Sequence, residues 1–154
     1  MKKNTQNTKI IATNKKARFN YFILDEIIAG IVLSGTEIKS IRARKISINN
    51  SYCYFSKHEL YIRQMNISQY KFGNIYNHDE LRDRKLLLRK RELIKLENKI
   101  KIGISIVPLE VFINDNGFAK VKIALVKGKK IFDKRKALKE KELKRKICSI
   151  DNDE

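Results

Sequence analysis

Short apolar runs separated by polar breaks dominate the chain and predict a protein built mainly of β-strands. The runs are rich in β-branched and aromatic residues, which favour strands. A hairpin is predicted at Asn114-Asp-Asn-Gly117, because this turn sequence lies between two such runs. The predicted strands comprise several short ones within 9–33, followed by 51–55, 60–63, about 104–113 and about 118–126.

Two segments show helical signals instead. Ser34 and Glu37 have the spacing of a capping box, which predicts a short helix that ends near residue 44. Asp83 is predicted to cap the longest helix, at about 84–100, because leucine and isoleucine recur there on one face.

This order of elements predicts the fold class. Six or so strands without βαβ alternation, with single helices inserted between them, are typical of a small closed β-barrel of the OB type with peripheral helices. A β-sandwich is the alternative. The predicted organisation is a flexible N-terminus at 1–8, a barrel at 9–126 and a basic C-terminal tail at 127–154.

Charge narrows the choice of partner. The 154 residues carry 35 Lys and Arg against 17 Asp and Glu, a net charge of +18. Such a field indicates nucleic acid or an anionic membrane as the partner. The membrane is the weaker choice, because no apolar run approaches the roughly 18 residues that a spanning helix needs.

The most basic segment is 127–146, with eleven Lys and Arg, three acidic residues and a net charge of +8. Helix formers fill the chain from Ala137 onward, but large apolar residues are few there: Leu138, Leu143 and Ile147. So thin a stripe cannot anchor a helix on a globular core, and the like charges repel one another. The segment is therefore expected to fold against an acidic partner, first of all a polyanion.

Catalytic and metal-binding patterns are poor, so neither an enzyme nor a cofactor or metal is expected. The pair His78-Asp79 is found in sites of metal phosphohydrolases, but those sites need further His and Asp ligands that this chain, with His58 as its other histidine, cannot supply. Gly128 and the lysines after it do not form a phosphate-binding loop, since the upstream Gly and the following Ser or Thr are missing. Cys53 and Cys148 lie far apart without metal-type spacing, and the N-terminus lacks a signal region, which together favour the cytosol.

Basic clusters are the better signal. Residues 14–18 place three cations in one connection, and 82–85 place three more at the entrance of the predicted long helix, where the helix dipole disfavours them. Tyr70, Phe72 and Tyr76 lie near the second cluster and are suited to stacking on unpaired bases, worth roughly 1–3 kcal/mol each. The alternative is that the cations are a solvated face and the aromatic residues complete the rim of the barrel.

Five runs follow one another along the chain: Ile11-Ala-Thr-Asn-Lys-Lys-Ala-Arg18, Ala29-Gly-Ile-Val-Leu-Ser-Gly-Thr-Glu-Ile-Lys-Ser40, Gly73-Asn74, Leu81-Arg-Asp-Arg-Lys-Leu-Leu-Leu88 and Gly128-Lys-Lys-Ile-Phe-Asp-Lys-Arg135. Each run alone is weak, but the ordered set is specific and covers about 9–146. Together they closely resemble the SmpB family, the SsrA-binding proteins of bacteria.

The resemblance implies an OB-type barrel that binds the tRNA-like domain of tmRNA and, as a monomer, escorts it to stalled ribosomes for trans-translation. Elongation factor Tu is implied as a partner through the shared tmRNA. Glu37 cannot attract phosphate, so it is expected to accept from base or ribose donors or to orient a neighbouring Lys or Arg. Carried over by motif, the RNA-binding candidates are Asn14, Lys15, Lys16, Arg18, Glu37, Lys39, Ser40, Arg82, Arg84 and Lys85.

The resemblance also implies a tail that is disordered in the free protein and becomes helical in the decoding centre and the empty mRNA channel. Phe132 stands where many relatives carry His or Tyr, so it keeps a ring for stacking but lacks the polar atom. The ribosome-binding candidates are Lys129, Lys130, Phe132, Asp133, Lys134 and Arg135.

Two other functions fit the same composition. One is a ribosomal protein whose basic tail is threaded permanently through ribosomal RNA. The other is a nonspecific RNA- or DNA-binding module, which would bind any duplex of equal length with a steep dependence on salt.

Overall fold

The computed structural model describes residues 9–73, 77–129 and 131–151. The predicted flexible N-terminus, at 1–8, lies outside the described residues. The helices are α1 (Lys15–Asn20), α2 (Gly35–Arg42), α3 (Lys90–Lys99) and α4 (Ile131–Asp151). The strands are β1 (Lys9–Thr13), β2 (Tyr21–Ile31), β3 (Ile46–Ser47), β4 (Tyr52–Ser56), β5 (Glu59–Arg63), β6 (Asn66–Ile67), β7 (Arg84–Leu87), β8 (Ile104–Ile113) and β9 (Ala119–Gly128).

The strands form one large antiparallel sheet and one small one. The large sheet has the order β1-β8-β4-β5-β7-β2-β9. Strand β9, the last in this order, also pairs with β8, the second in it. Strands β3 and β6 pair separately. The protein is therefore mainly β with a few helices, as predicted.

The core lies between the strands and is covered by helices. It includes Ile62 of β5, Ile106 of β8 and Ile123 of β9, with Ile41 of α2 and Leu96 of α3 packed against them. A smaller cluster joins Ala17 of α1 to four residues of β8 and β9, namely Val107, Leu109, Ala124 and Val126. Each helix in these clusters thus has a fixed place on the sheet.

The prediction of a helix over 84–100 is wrong in its first part. Arg84–Leu87 is strand β7, which pairs with β5 and β2, and helix α3 begins only at Lys90. A run of three leucines fits either period, and here Leu86 is buried while Leu87 is exposed, which is the alternation of a strand. Asp83 caps no helix; its carboxylate accepts hydrogen bonds from Tyr54 and Arg63.

The basic cluster at 82–85 therefore lies in a different element from the predicted one. The cations at 82–85 lie at the start of a strand, so a helix dipole does not disfavour them there. Helix α1 was not predicted, because its six residues are too few to show a helical apolar period and only Ala17 among them is buried. The tail also differs from prediction: α4 begins at Ile131, before Ala137. That the tail is disordered in the free protein stays a prediction.

Candidate nucleic-acid interface

Glu37 is the centre of a buried ionic cluster at one end of β7. The capping box of α2 orients it, since the Ser34 backbone N–H donates to Glu37 Oε1 at 3.0 Å. Arg82 Nε donates to the same oxygen at 3.0 Å, and Arg84 Nε donates to Oε2. The side chains of Glu37 and Arg84 are both 0% exposed, whereas that of Arg82 is partly exposed.

Arg84 connects this carboxylate to the backbone around it. Its Nε faces Glu37, and each of its two terminal nitrogens donates to two backbone carbonyls. All the N–H groups of this guanidinium therefore have a partner, which the burial of a cation requires. The carbonyls belong to Met65 at 2.7 Å, Arg82 at 3.1 Å, Asp79 at 3.3 Å and Glu80 at 3.3 Å.

The electrostatics keep the Glu37 carboxylate ionised. Burial raises its pKa, but the hydrogen bonds from Arg82, from the Ser34 N–H and from Arg84 outweigh burial and hold the pKa below its usual range. Burial also lowers the pKa of Arg84, against the effect of Glu37, yet an arginine titrates so far above neutrality that it stays charged. The pair is thus a fixed structural charge pair.

The predicted RNA-binding residues separate into two groups by exposure. Asn14, Glu37, Ser40 and Arg84 are buried, so their side chains do not form the outer surface. Two of these side-chain atoms, Asn14 Oδ1 and Ser40 Oγ, have no hydrogen-bond partner within the described residues. The others are exposed or partly exposed: Lys15, Lys16, Arg18, Lys39, Arg82 and Lys85.

The exposed cations differ in how much of their charge is available. Lys85 Nζ lies 2.9 Å from Glu59 Oε1, and Arg18 lies 3.6 Å from Glu26. Lys15, Lys16 and Lys39 have no ion pair among the described residues, so their charge is free to attract phosphate.

The start of the tail is attached to the body beside α1. The backbone N–H of Lys129 donates to Asn20 O at 3.0 Å, and its Nζ donates to Arg18 O at 3.2 Å. The same ammonium lies 5.1 Å from the centroid of the Phe22 ring. Of the other tail candidates, Lys130 lies outside the described residues, and Phe132, Asp133, Lys134 and Arg135 belong to the first turns of α4.

The structure also places an aromatic cluster beside α2. Lys39 Nζ lies 5.4 Å from the centroid of the Tyr70 ring, and the Phe72 ring meets Tyr70 edge to face with centroids 5.7 Å apart. Sequence reasoning found the two aromatic residues but not Lys39 as their neighbour, because the contact joins residues far apart in the chain. Tyr76 lies outside the described residues.

A metal-binding cluster and a membrane-spanning helix are both absent from the part of the chain that the structure describes. No group of three or more His, Cys, Asp or Glu side chains is arranged there to hold a metal ion. None of the described helices is long and apolar enough to cross a bilayer.

Comparison with known proteins gives the family. The profile of the family described as SmpB protein matches residues 11–151. The chain belongs to the SmpB family. This match includes the body from Ile11 onward and the whole of α4.

Individual relatives agree over nearly their whole length. The chain is 49% identical to the SsrA-binding protein of Borreliella burgdorferi, covering 92% of this chain and 93% of that protein. It is 48% identical to the SsrA-binding protein of Christiangramia forsetii, covering 96% and 92%. A chain of the solved structure named "tmRNA-SmpB: a journey to the center of the bacterial ribosome" is 42% identical, with a TM-score of 0.67 over 82% of this chain and 92% of that one. The SmpB resemblance that the sequence motifs predicted is therefore confirmed.

Proposed function

We propose that this SmpB family protein binds the tRNA-like domain of tmRNA and delivers it to stalled ribosomes for trans-translation, without catalysing a reaction itself. One observation carries the proposal: relatives named SsrA-binding proteins match at about half identity over nearly the whole of both chains. The solved structure named for tmRNA-SmpB and the bacterial ribosome supports the same conclusion.

The body supplies the tmRNA-binding surface in this proposal. Its fold is an OB-type closed barrel, a reading supported by the second pairing of β9, which returns the strand order to β8. The free cations Lys15, Lys16 and Lys39 are the phosphate contacts, and Arg82 joins them through its exposed part. Buried Glu37 and Arg84 act as positioning residues that hold Arg82 and its loop.

The tail supplies the ribosome-binding part. In this proposal the cations of helix α4, which begins two residues after Lys129, contact RNA of the decoding centre and the empty mRNA channel. Every side chain of α4 that the structure describes is solvent-exposed, which makes it accessible to ribosomal RNA. Elongation factor Tu joins the complex through the shared tmRNA, and the protein acts as a monomer in the cytoplasm.

A competition experiment tests this function. Labelled tmRNA bound to the full chain is challenged with unlabelled tmRNA, with elongator tRNA and with a duplex RNA of equal length, all at one salt concentration. We expect tmRNA to compete much better than the other two. Equal competition by all three would mean a nonspecific RNA-binding module. A separate measurement of ribosome binding tests the other alternative: association that survives high salt without tmRNA would mean a ribosomal protein.

A further inference from the structure

Phe72 is a large aromatic residue that the fold leaves almost entirely in solvent. Its side chain is 80% exposed. Lys71 Nζ lies 5.9 Å from the centroid of its ring, and Tyr70 contacts the ring from one side. The fold gains little from burying Phe72, so the ring is available to a partner outside the chain.

The turn that carries Phe72 is closed by hydrogen bonds to Tyr70. Asn77 clamps Tyr70 at both backbone atoms, since its Nδ2 donates to Tyr70 O at 2.8 Å and its Oδ1 accepts from Tyr70 N at 3.3 Å. The backbone N–H of Gly73 donates to Tyr70 O at 2.9 Å and closes the turn. A Cβ at Gly73 would lie only 2.5 Å from Asn77 Nδ2, so the clamp requires glycine at that position.

The turn is also anchored to α2. His78, next to the clamp, donates from Nε2 to Ile67 O at 2.8 Å, so in the neutral ring Nδ1 accepts from Thr36 Oγ1 at 2.9 Å. Thr36 belongs to the first turn of α2, one helical turn before Lys39. The turn that carries Phe72 is therefore linked to α2, the helix that carries both Lys39 and Glu37.

A ring on a hydrogen-bonded turn suits one class of partner when Lys71 lies beside it and Lys39 lies beside the neighbouring Tyr70. We propose that Phe72 is a stacking platform for an unpaired RNA base, and that Lys71 and Lys39 contact the flanking phosphates. A base offers a π-face to the ring and brings the negative charge that the cations attract, whereas an apolar protein surface would leave both cations without a partner. The inference rests on the proposed RNA-binding function and adds a contact to it.

Three substitutions in the full chain test this platform against tmRNA. Phe72→Ala removes the ring, Phe72→Leu keeps apolar bulk without a π-face, and Phe72→Tyr keeps the ring. We expect Phe72→Ala to raise Kd about 5- to 150-fold, the equivalent of losing one stacked base. We expect Phe72→Leu to lose most of the same affinity and Phe72→Tyr to stay near wild type.

Two controls make the result specific. Phe118→Ala removes another exposed ring, 65% exposed in the β8–β9 hairpin, and should leave Kd unchanged. Because Phe72 carries no charge, Phe72→Ala should leave the salt dependence of binding unchanged, while Lys71→Ala should lower the slope of log K against log salt by about one. Circular dichroism checks that each variant is folded, which the exposure of Phe72 leads us to expect.

The Kd values of the variants also identify which part of the hypothesis fails. Wild-type affinity in Phe72→Ala would overturn the platform, and wild-type affinity in Phe72→Leu would replace stacking by a simple apolar contact. If the wild-type chain itself fails to prefer tmRNA, the proposed function fails. The platform is then decided with single-stranded oligoadenylate, on which an unchanged Kd for Phe72→Ala overturns it and a raised Kd upholds it.

Discussion

Glu37→Gln is the substitution that most directly tests the ionic cluster. It keeps the volume of the side chain and one acceptor oxygen but removes the charge. Arg84 is fully buried and would lose its counterion, while the new amide N–H groups would face the N–H groups of an arginine. The capping interaction with the Ser34 N–H would also weaken, because a neutral amide is a poorer acceptor than a carboxylate.

The expected loss of stability is large. Removing one partner of a buried pair costs about 3–5 kcal/mol, since the other charge stays buried without compensation. For a domain of this size that corresponds to a fall in Tm of about 6–20 °C. The matched control is Asp83→Asn, which breaks the exposed Arg63–Asp83 pair and should cost at most about 1 kcal/mol.

Calorimetry and urea denaturation measure this difference. The chain has no tryptophan and six tyrosines, so tyrosine fluorescence follows the body without a signal from the tail, which contains no tyrosine. A loss below about 1 kcal/mol in Glu37→Gln, equal to that of Asp83→Asn, would refute the view that an uncompensated charge at Arg84 dominates.

The same variant isolates a dependence on pH. The folded-state pKa of Glu37 is lowered, so its contribution to stability is complete above the pKa of a free glutamate, about 4.3, and is lost as the pH falls through the folded-state value. Other carboxylates contribute to acid unfolding as well, but they are common to both proteins. We therefore expect the stability difference between wild type and Glu37→Gln to shrink as the pH is lowered below about 4, and a constant difference would contradict the assignment.

Three further predictions concern RNA binding. Lys16→Ala should weaken tmRNA binding and lower the slope of log K against log salt by about one, whereas Lys85→Ala should change both less, because Lys85 is paired with Glu59. Titrations at several salt concentrations compare the two variants, and equal effects would contradict the view that of the two only Lys16 has its charge free for phosphate. Gly73→Ala should weaken tmRNA binding in the same direction as loss of the Phe72 ring, since the new Cβ disrupts the clamp, while Gly35→Ala, where a Cβ meets nothing within 4 Å, should bind as wild type. A chain that ends after Lys129 keeps all of β9 and should bind tmRNA nearly as well as the full chain while losing peptide tagging on stalled ribosomes; a loss of tmRNA binding would show that body and tail do not divide the function in this way.

The sequence predicted the strands and α2 better than it predicted β7. Alternating apolar runs and the capping box at Ser34 are local signals, and the structure has a strand or a helix at each. The run at Arg84–Leu87 carries no local signal that separates strand from helix, and its pairing with β2 and β5 decides the outcome. A tertiary contact of that kind cannot be read from a window of neighbouring residues.

The ionic cluster shows the same limit for the candidate site. Motif resemblance marked Glu37 and Arg84 as RNA-binding candidates, and for Glu37 the orientation of a neighbouring Lys or Arg was the alternative role. The two residues are 47 positions apart, so nothing in the sequence shows that they neutralise each other inside the fold. Charge alone therefore predicts that a residue has a partner, whereas only the structure shows whether that partner is inside the chain.

The apolar stripe of the tail also indicates a partner outside the chain. Leu138, Leu143 and Ile147 remain 47–59% exposed in α4, so helix formation by itself does not bury the stripe against the described residues. The segment 127–146 keeps a net charge of +8, which favours an anionic partner. A negatively charged groove that also offers base or ribose surfaces would cover the apolar stripe and compensate the positive charge. Ribosomal RNA offers both the negative charge and such surfaces. Reversing the charge of several α4 cations should therefore abolish ribosome engagement while leaving tmRNA binding by the body intact.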